Sequence, residues 1–306
     1  MLADVEPEQP HVELARSIGT RLGEGLGEHG RLADEPMQRT LDAVVQLTRA
    51  LRGHYVRLFA IGTSALRRAE NGDELAEQVK AILGVPLRVL SGEEEAAASY
   101  RGALTAFGRL RGEHVAVCDV GGGSTECAVG DSLVPEKVVS CEIGAVRLTE
   151  SVPALSGNDG AVNAPTLKRA RELAREALEP LSDCSSVERV ALVGGSATTT
   201  AAIVAGKRLP PASRTLTRPD LQRTLERLLP MNLAERKAVV GMKAQRADIL
   251  PAGIVVLDEA LETLGKGEAV ATTADLLLGT LLQERDAAGM PPRPPAALGP
   301  RRSFRA

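Results

Sequence analysis

Tryptophan is absent and aromatic residues make up only 2% of the 306, two Tyr and three Phe. That scarcity excludes a nucleic-acid surface built from stacked aromatic platforms and leaves Leu, Val and Ala to fill the core. A dominant charge is lacking as well. The net charge is −3, so no global basic field draws a polyanion, and phosphates, if they bind, must be met by a local site. Cysteine is sparse: Cys118, Cys127, Cys141 and Cys184 show no CxxC spacing and no nearby His, which reads as reduced cytosolic thiols rather than a metal site. No window approaches the roughly 18 consecutive apolar residues of a membrane span. The start, Met1 to Glu8, is acidic where a secretory signal is basic and then apolar, so a cytoplasmic protein is expected, with no membrane and no nucleic-acid partner.

What is present is an ordinary globular balance, 43% hydrophobic and 25% charged, in a chain long enough for two domains at about 150 residues each. Strands and helices alternate. Leu41, Val44, Val45, Thr48 and Leu51 recur at helical spacing within Glu35 to Leu51, Val56 to Ile61 is a short apolar run ending at Gly62, and Leu75 to Leu83 is helical again. Leu87 to Leu90 reads as a strand and Ser91 to Leu104 as a helix behind a Ser-Gly start and three glutamates. Periodicity lapses at Gly108 to Gly112 and a new strand begins at His114. The expected division is 1–112, 113–272, a last helix within 273–286, and a disordered tail at 287–306, where Gly289 to Ala306 holds five prolines and four arginines.

Two glycine-rich turns carry the chemistry. Val115 to Asp119 runs into Val120-Gly121-Gly122-Gly123-Ser124-Thr125-Glu126 and then Cys127 to Gly130, a strand, a turn and a returning strand. A Walker loop or a dinucleotide fingerprint requires a helix directly after the glycines, and none follows. What remains is a hairpin turn whose backbone N–H groups can converge on an anion, with Ser124 beside them and Asp119 and Glu126 at its ends, suited to a phosphate and a divalent cation. A plain hairpin needs one or two such glycines, not three. The second turn, Gly194-Gly195-Ser196 after Val190 to Val193, does pass into a helix-compatible run and is a candidate anion site, although the same tripeptide is also a common connector.

Four segments together resemble the exopolyphosphatase and guanosine pentaphosphate phosphohydrolase family: Ala60 to Asn71 with Thr63 and Arg67, Val89 to Ala96 with Glu95, Asp119 to Glu126, and Gly144 to Glu150 with Arg147. The likeness extends from about Ser17 to Glu284 and includes Arg246 to Gly253, in the form of the family without an added C-terminal domain. The resemblance implies a two-lobed α/β fold of the actin, sugar-kinase and Hsp70 ATPase superfamily, with the site in the cleft between lobes. It implies hydrolysis of a terminal phosphoanhydride bond of inorganic polyphosphate or guanosine pentaphosphate. By the same resemblance Glu95 is the carboxylate that positions or deprotonates water, and Asp119 and Glu126 hold Mg²⁺ directly or through its waters. Gly121, Gly122, Gly123 and Ser124 cradle the phosphate, Gly194, Gly195 and Ser196 assist, and Arg67 clamps phosphate oxygens. A homodimer is left open.

The chain departs from the family pattern at two places. Relatives open with a hairpin of the form Asp-x-Gly-Ser-Asn-Ser, and nothing in Met1 to Arg21 resembles it, so this first phosphate hairpin is expected to be missing, through a start codon called too far downstream or a genuine loss. Relatives also carry Gly-Leu-Arg-Glu-Gly where this chain has Asp275-Leu-Leu-Leu-Gly279. Two alternatives stand beside the hydrolase: a kinase or ATPase on the same scaffold, told apart by a phosphorylated acceptor, and a phosphate or alarmone-binding protein without turnover.

Overall fold

The computed structural model describes residues 1–5, 10–51, 53–54, 57–107, 112–158 and 162–288. Of the expected tail at 287–306, residues 289–306 lie outside these residues, whereas Ala287 ends the last helix; most of the expected boundary at 108–112 lies outside them too. The N-terminus, ahead of the quoted segments, holds an antiparallel pair, Leu2–Asp4 (β1) with His11–Leu14 (β2). Strands of three and four residues contain too few alternations to be read from sequence. This ribbon carries no Asp-x-Gly-Ser-Asn-Ser motif.

A small unit follows. Leu26–His29 (α1) precedes Asp34–Leu51 (α2), which opens on Asp34 and Glu35 at the positive end of the helix dipole and buries Met37 and Leu41. Ala60–Gly62 (β3) leads to Ser64–Arg68 (α3) and Gly72–Leu83 (α4), and Leu87–Val89 (β4) returns parallel to β3. Leu26, Leu32, Met37, Leu41, Leu66, Leu75 and Val79 form its core. Asn71 pins the segment before α2 by bonding both backbone groups of Leu32, at 2.8 and 3.0 Å.

Gly92–Ala103 (α5) starts on a capping box: the Ser91 hydroxyl accepts from the Glu94 N–H at 3.1 Å and the Glu94 carboxylate accepts from the Ser91 N–H at 2.8 Å. The rest of the chain builds a six-stranded sheet from Val115–Val120 (β5), Thr125–Gly130 (β6) and Lys137–Cys141 (β7). Ala145–Ser151 (α6) and Ala164–Leu178 (α7) intervene, and then come Arg189–Val193 (β8), Gly194–Ala205 (α8), Ser213–Thr217 (β9), Arg218–Leu228 (α9), Leu233–Ala238 (α10), Leu250–Thr263 (α11), Glu268–Thr272 (β10) and Leu276–Ala287 (α12). The strand order is β7-β6-β5-β8-β10-β9, with β5, β8 and β10 mutually parallel and the other neighbours antiparallel.

Parity along β5 divides the core. Val115 and Val117 lie under α5 with Ala96, Tyr100, Ala103 and Ala128, whereas Ala116, Cys118 and Val120 face α6, α7, α8, α9 and α11. Thus α5, grouped by sequence with the first lobe, packs on the sheet of the second. α12 lies against α5 closely enough that a Cβ on Gly279 would stand 1.7 Å from the Ala98 carbonyl oxygen and one on Gly102 would stand 2.2 Å from that of Asp275. All four cysteines are free, buried and gathered on the far face of the sheet, with Cys118 and Cys127 directly opposed and their sulfurs 3.3 Å apart. On the otherwise apolar α11, Asp258 and Glu259 are buried and are met by Arg171, Arg175 and Arg218.

Candidate active site

The β5–β6 hairpin sets Asp119 directly opposite Glu126, and paired residues on an antiparallel ladder point to the same face. Parity fixes which face: Asp119 follows Val115 and Val117, so both carboxylates lie on the side covered by α5. There the Ser99 hydroxyl donates to Asp119 Oδ2 at 2.6 Å. Glu95 stands four residues before Ser99, one helical turn away on the same stripe of α5. Three carboxylates from two elements therefore converge.

The turn closes with the Gly121 N–H donating to the Ser124 carbonyl at 3.0 Å. The Gly121 and Gly122 carbonyls accept from the first turn of α6, from Ala145 at 3.0 Å, Val146 at 2.8 Å and Arg147 at 3.1 Å. None of the three glycines has a left-handed φ, so backbone angle explains none of them, and tight space bears on Gly121 and Gly122 but not on Gly123. A Cβ on Gly122 would meet Val146 at 3.3 Å, and one on Gly123 would meet Arg68 Nη1 at 3.5 Å. The N–H groups of Gly122 and Gly123 have no partner among the described residues.

Glu95 is 8% exposed. Arg67 Nη1 donates to Glu95 Oε2 at 3.2 Å and to the Leu90 carbonyl at 2.6 Å, and the Ser64 N–H at the start of α3 also bonds Glu95. Burial nevertheless raises its pKa, outweighing these favourable contacts. Asp119 is pushed up to about 6, first by burial and then, against the Ser99 hydrogen bond, by the charges of Asp275 and Glu95. Glu126 rises to about 8, mainly by burial, with Glu95 and Asp119 adding repulsion; the Ser124 hydroxyl opposes the shift and Ser140 donates to it at 3.4 Å. Glu94, by contrast, is lowered by its Ser91 backbone bond and by Arg88.

The second glycine turn meets the first. Gly194 is left-handed at φ 87°, and a Cβ there would lie 2.8 Å from Asp119 Oδ1. Gly195 lies under the Arg246 guanidinium, whose Cζ would be 1.9 Å from an added Cβ. Ser196 is buried, its hydroxyl 2.2 Å from where a Cβ on Gly253 would be, so it packs on α11. Arg67 is occupied by Glu95 and a carbonyl. Sequence reasoning singled out neither Ser99 nor Arg246 nor Asp275. Arg246 lies in a quoted segment, but only the folded chain brings its charge to Asp119.

Hard carboxylate oxygens suit Mg²⁺. Buried acids raised by burial and mutual repulsion are a donor set that a divalent cation would restore to the ionised form. Glu95, Asp119 and Glu126 do not form a tight triad: among the described residues, the three-residue group whose ligand atoms all lie within 4.8 Å is His114, Asp131 and Glu136, at the opposite end of the hairpin. Such spacing fits an ion that keeps several of its waters.

Comparison with known proteins is consistent with this geometry. The sequence model described as the Ppx/GppA phosphatase family matches residues 3–276, beginning ahead of the expected Ser17. Exopolyphosphatase 2 of Mycobacterium tuberculosis is 33% identical over 282 residues, 86% of this chain and 86% of its own. A guanosine-5'-triphosphate,3'-diphosphate pyrophosphatase of Vibrio parahaemolyticus is 30% identical over 80% of this chain and 48% of its own. The crystal structure of an Aquifex aeolicus family member superposes with a TM-score of 0.76 at 25% identity, covering 94% of both chains. The chain spans less than half the length of several curated relatives it matches. Among the described residues no helix is long and apolar enough to cross a membrane.

Proposed function

The chain belongs to the Ppx/GppA phosphatase family and has an actin-like ATPase fold, and from that membership we propose that it hydrolyses the terminal phosphoanhydride bond of inorganic polyphosphate or guanosine pentaphosphate. The observation that carries the reading is the turn at Gly122 and Gly123, with two unpartnered N–H groups beside three convergent carboxylates. Phosphoryl transfer asks the protein mainly to hold the phosphate, offset its charge and orient the nucleophile.

The residues divide these tasks. The turn N–H groups take the terminal phosphate oxygens. Arg67 and the Ser64 N–H hold the Glu95 carboxylate, which accepts a proton from a water aligned with the phosphorus, and its raised pKa strengthens it as a base. As the water oxygen bonds to phosphorus, the anhydride P–O bond breaks and the shortened chain departs as an anion. Asp119 and Glu126 would hold Mg²⁺, which when bound neutralises charge on the phosphate oxygens. Ser99 orients Asp119 and Arg246 offsets its charge. The reading takes 113–272 as the second lobe and places the cleft between its turn and α3.

The test is the product. Purified protein with Mg²⁺ is expected to release inorganic phosphate from either substrate, with release abolished by chelation. A phosphorylated acceptor in place of free phosphate would make it a kinase, and tight binding with no release a sensor.

A further inference from the structure

We infer that Arg68 gives this site its preference for a linear polyphosphate chain over a guanine nucleotide. The inference rests on the phosphoanhydride reading above. Arg67 and Arg68 are the last two residues of α3, and neighbouring helical positions do not face the same way. Arg67 commits its Nη1 to Glu95 and the Leu90 carbonyl. Arg68 is exposed and makes no hydrogen bond or ion pair with any described residue.

Its place is specific. Arg68 Nη1 is 3.5 Å, and the Ser64 hydroxyl 3.6 Å, from the point a Cβ on Gly123 would occupy. A guanidinium and a hydroxyl thus stand over the outer side of the same turn whose Gly122 and Gly123 N–H groups are unpartnered. Glu150 is the carboxylate that feels Arg68, and it feels Arg147 more strongly. Arg147 is already paired with Glu142 at 2.8 Å. A phosphate seated on the turn therefore has an uncommitted arginine on its outer side, across from Arg246 at the second glycine turn, able to fork onto the oxygens of the following phosphates.

A nucleotide would gain less. After its short phosphate run come a ribose and a base, and a base is held best by an aromatic face. Among the described residues the aromatic rings lie elsewhere: Tyr100 and Phe107 are buried under α5 and Phe59 carries Arg57. A polyphosphate, with charge on every unit, uses Arg68 fully.

The experiment compares wild type, Arg68→Ala and Arg68→Lys on polyphosphate of a few tens of units and on guanosine pentaphosphate, with Mg²⁺. In Arg68→Ala the KM for polyphosphate should rise about tenfold more than that for the nucleotide, with kcat within about twofold, since loss of a charge-assisted contact that serves binding costs about that much. Arg68→Lys should recover part of the loss, as a point charge without the fork. Equal rises for both substrates, or no rise for polyphosphate, would overturn the assignment. If the wild type hydrolyses neither substrate, the phosphoanhydride reading falls, and binding of fluorescent polyphosphate decides for Arg68: weakened binding in Arg68→Ala upholds its role, and unchanged or absent binding ends it.

Discussion

Glu95 is held by Arg67 and the Ser64 N–H, so its amide analogue should keep its place and lose its basicity. Glu95→Gln is expected to lower kcat at least about a hundredfold with KM near wild type; a raised KM at unchanged kcat would make Glu95 a binding group. Asp119 and Glu126 titrate at about 6 and about 8, above their ordinary values of 3.8 and 4.5. Their folded pKa values are raised, so the folded protein holds more protons than the unfolded chain in between. Without metal, stability should therefore fall as pH climbs from about 4 through about 8. Mg²⁺ needs the ionised carboxylates and should raise Tm more at pH 8.5 than at pH 6. Thermal melts with and without Mg²⁺ at both pH values check this, and equal shifts would detach the metal from these acids. The pairing of Asp119 with Glu126 was legible because both flank one hairpin turn, whereas Glu95 came from the resemblance alone, since the packing that brings α5 onto the hairpin is not a local rule. Ser99 could then have been found by the i, i+4 step from Glu95 along the helix. Arg246 and Asp275 could not, since each reaches Asp119 across more than a hundred residues of chain and no local pattern encodes that approach.

Among the elements, α5 is the one on which the site depends, and α12 holds it. The Gly279 and Gly102 contacts let the two backbones approach within reach of each other's carbonyls. Gly279→Ala forces the helices apart or strains both, and should cost about 3 kcal/mol, read as a lowered urea midpoint at unchanged m. A stability like that of wild type would mean that the helices can separate freely. The sequence pattern of Leu276 to Gly279 showed only an altered motif, because a glycine's meaning lies in what opposes it. The helices at 35–51 and 75–83 and the strand-turn-strand at 115–130 were legible from the sequence pattern, and Ser91 with the glutamates behind it announced α5. β1 and β2 were too short to read. The two buried acids of α11, Asp258 and Glu259, make sense only beside arginines from α7 and α9.

At the scale of the whole molecule, the core of the small unit is separate from the cores on the two faces of the large sheet, and polar bridges join it to them. Arg21 meets Asp248 at 2.6 Å, Arg67 meets Glu95 at 3.2 Å and Arg88 meets Glu284 at 3.2 Å. Because α5 rides on the large sheet, opening the cleft would part Arg67 from Glu95 yet leave Ser99 on Asp119. Substrate phosphates seated between Arg68 and the turn should draw the units together, a hinge motion of the kind that small interfaces permit. Dyes at Ile82 and Leu133, which are 37% and 56% exposed, would report it. Energy transfer in the Glu95→Gln protein is expected to change when polyphosphate and Mg²⁺ are added, and a constant signal would mean a fixed cleft. The four buried thiols make that measurement simple. With all four native thiols buried, cysteines introduced at Ile82 and Leu133 become the thiols a maleimide can reach, and the natural chain needs no cysteine removed before it is labelled.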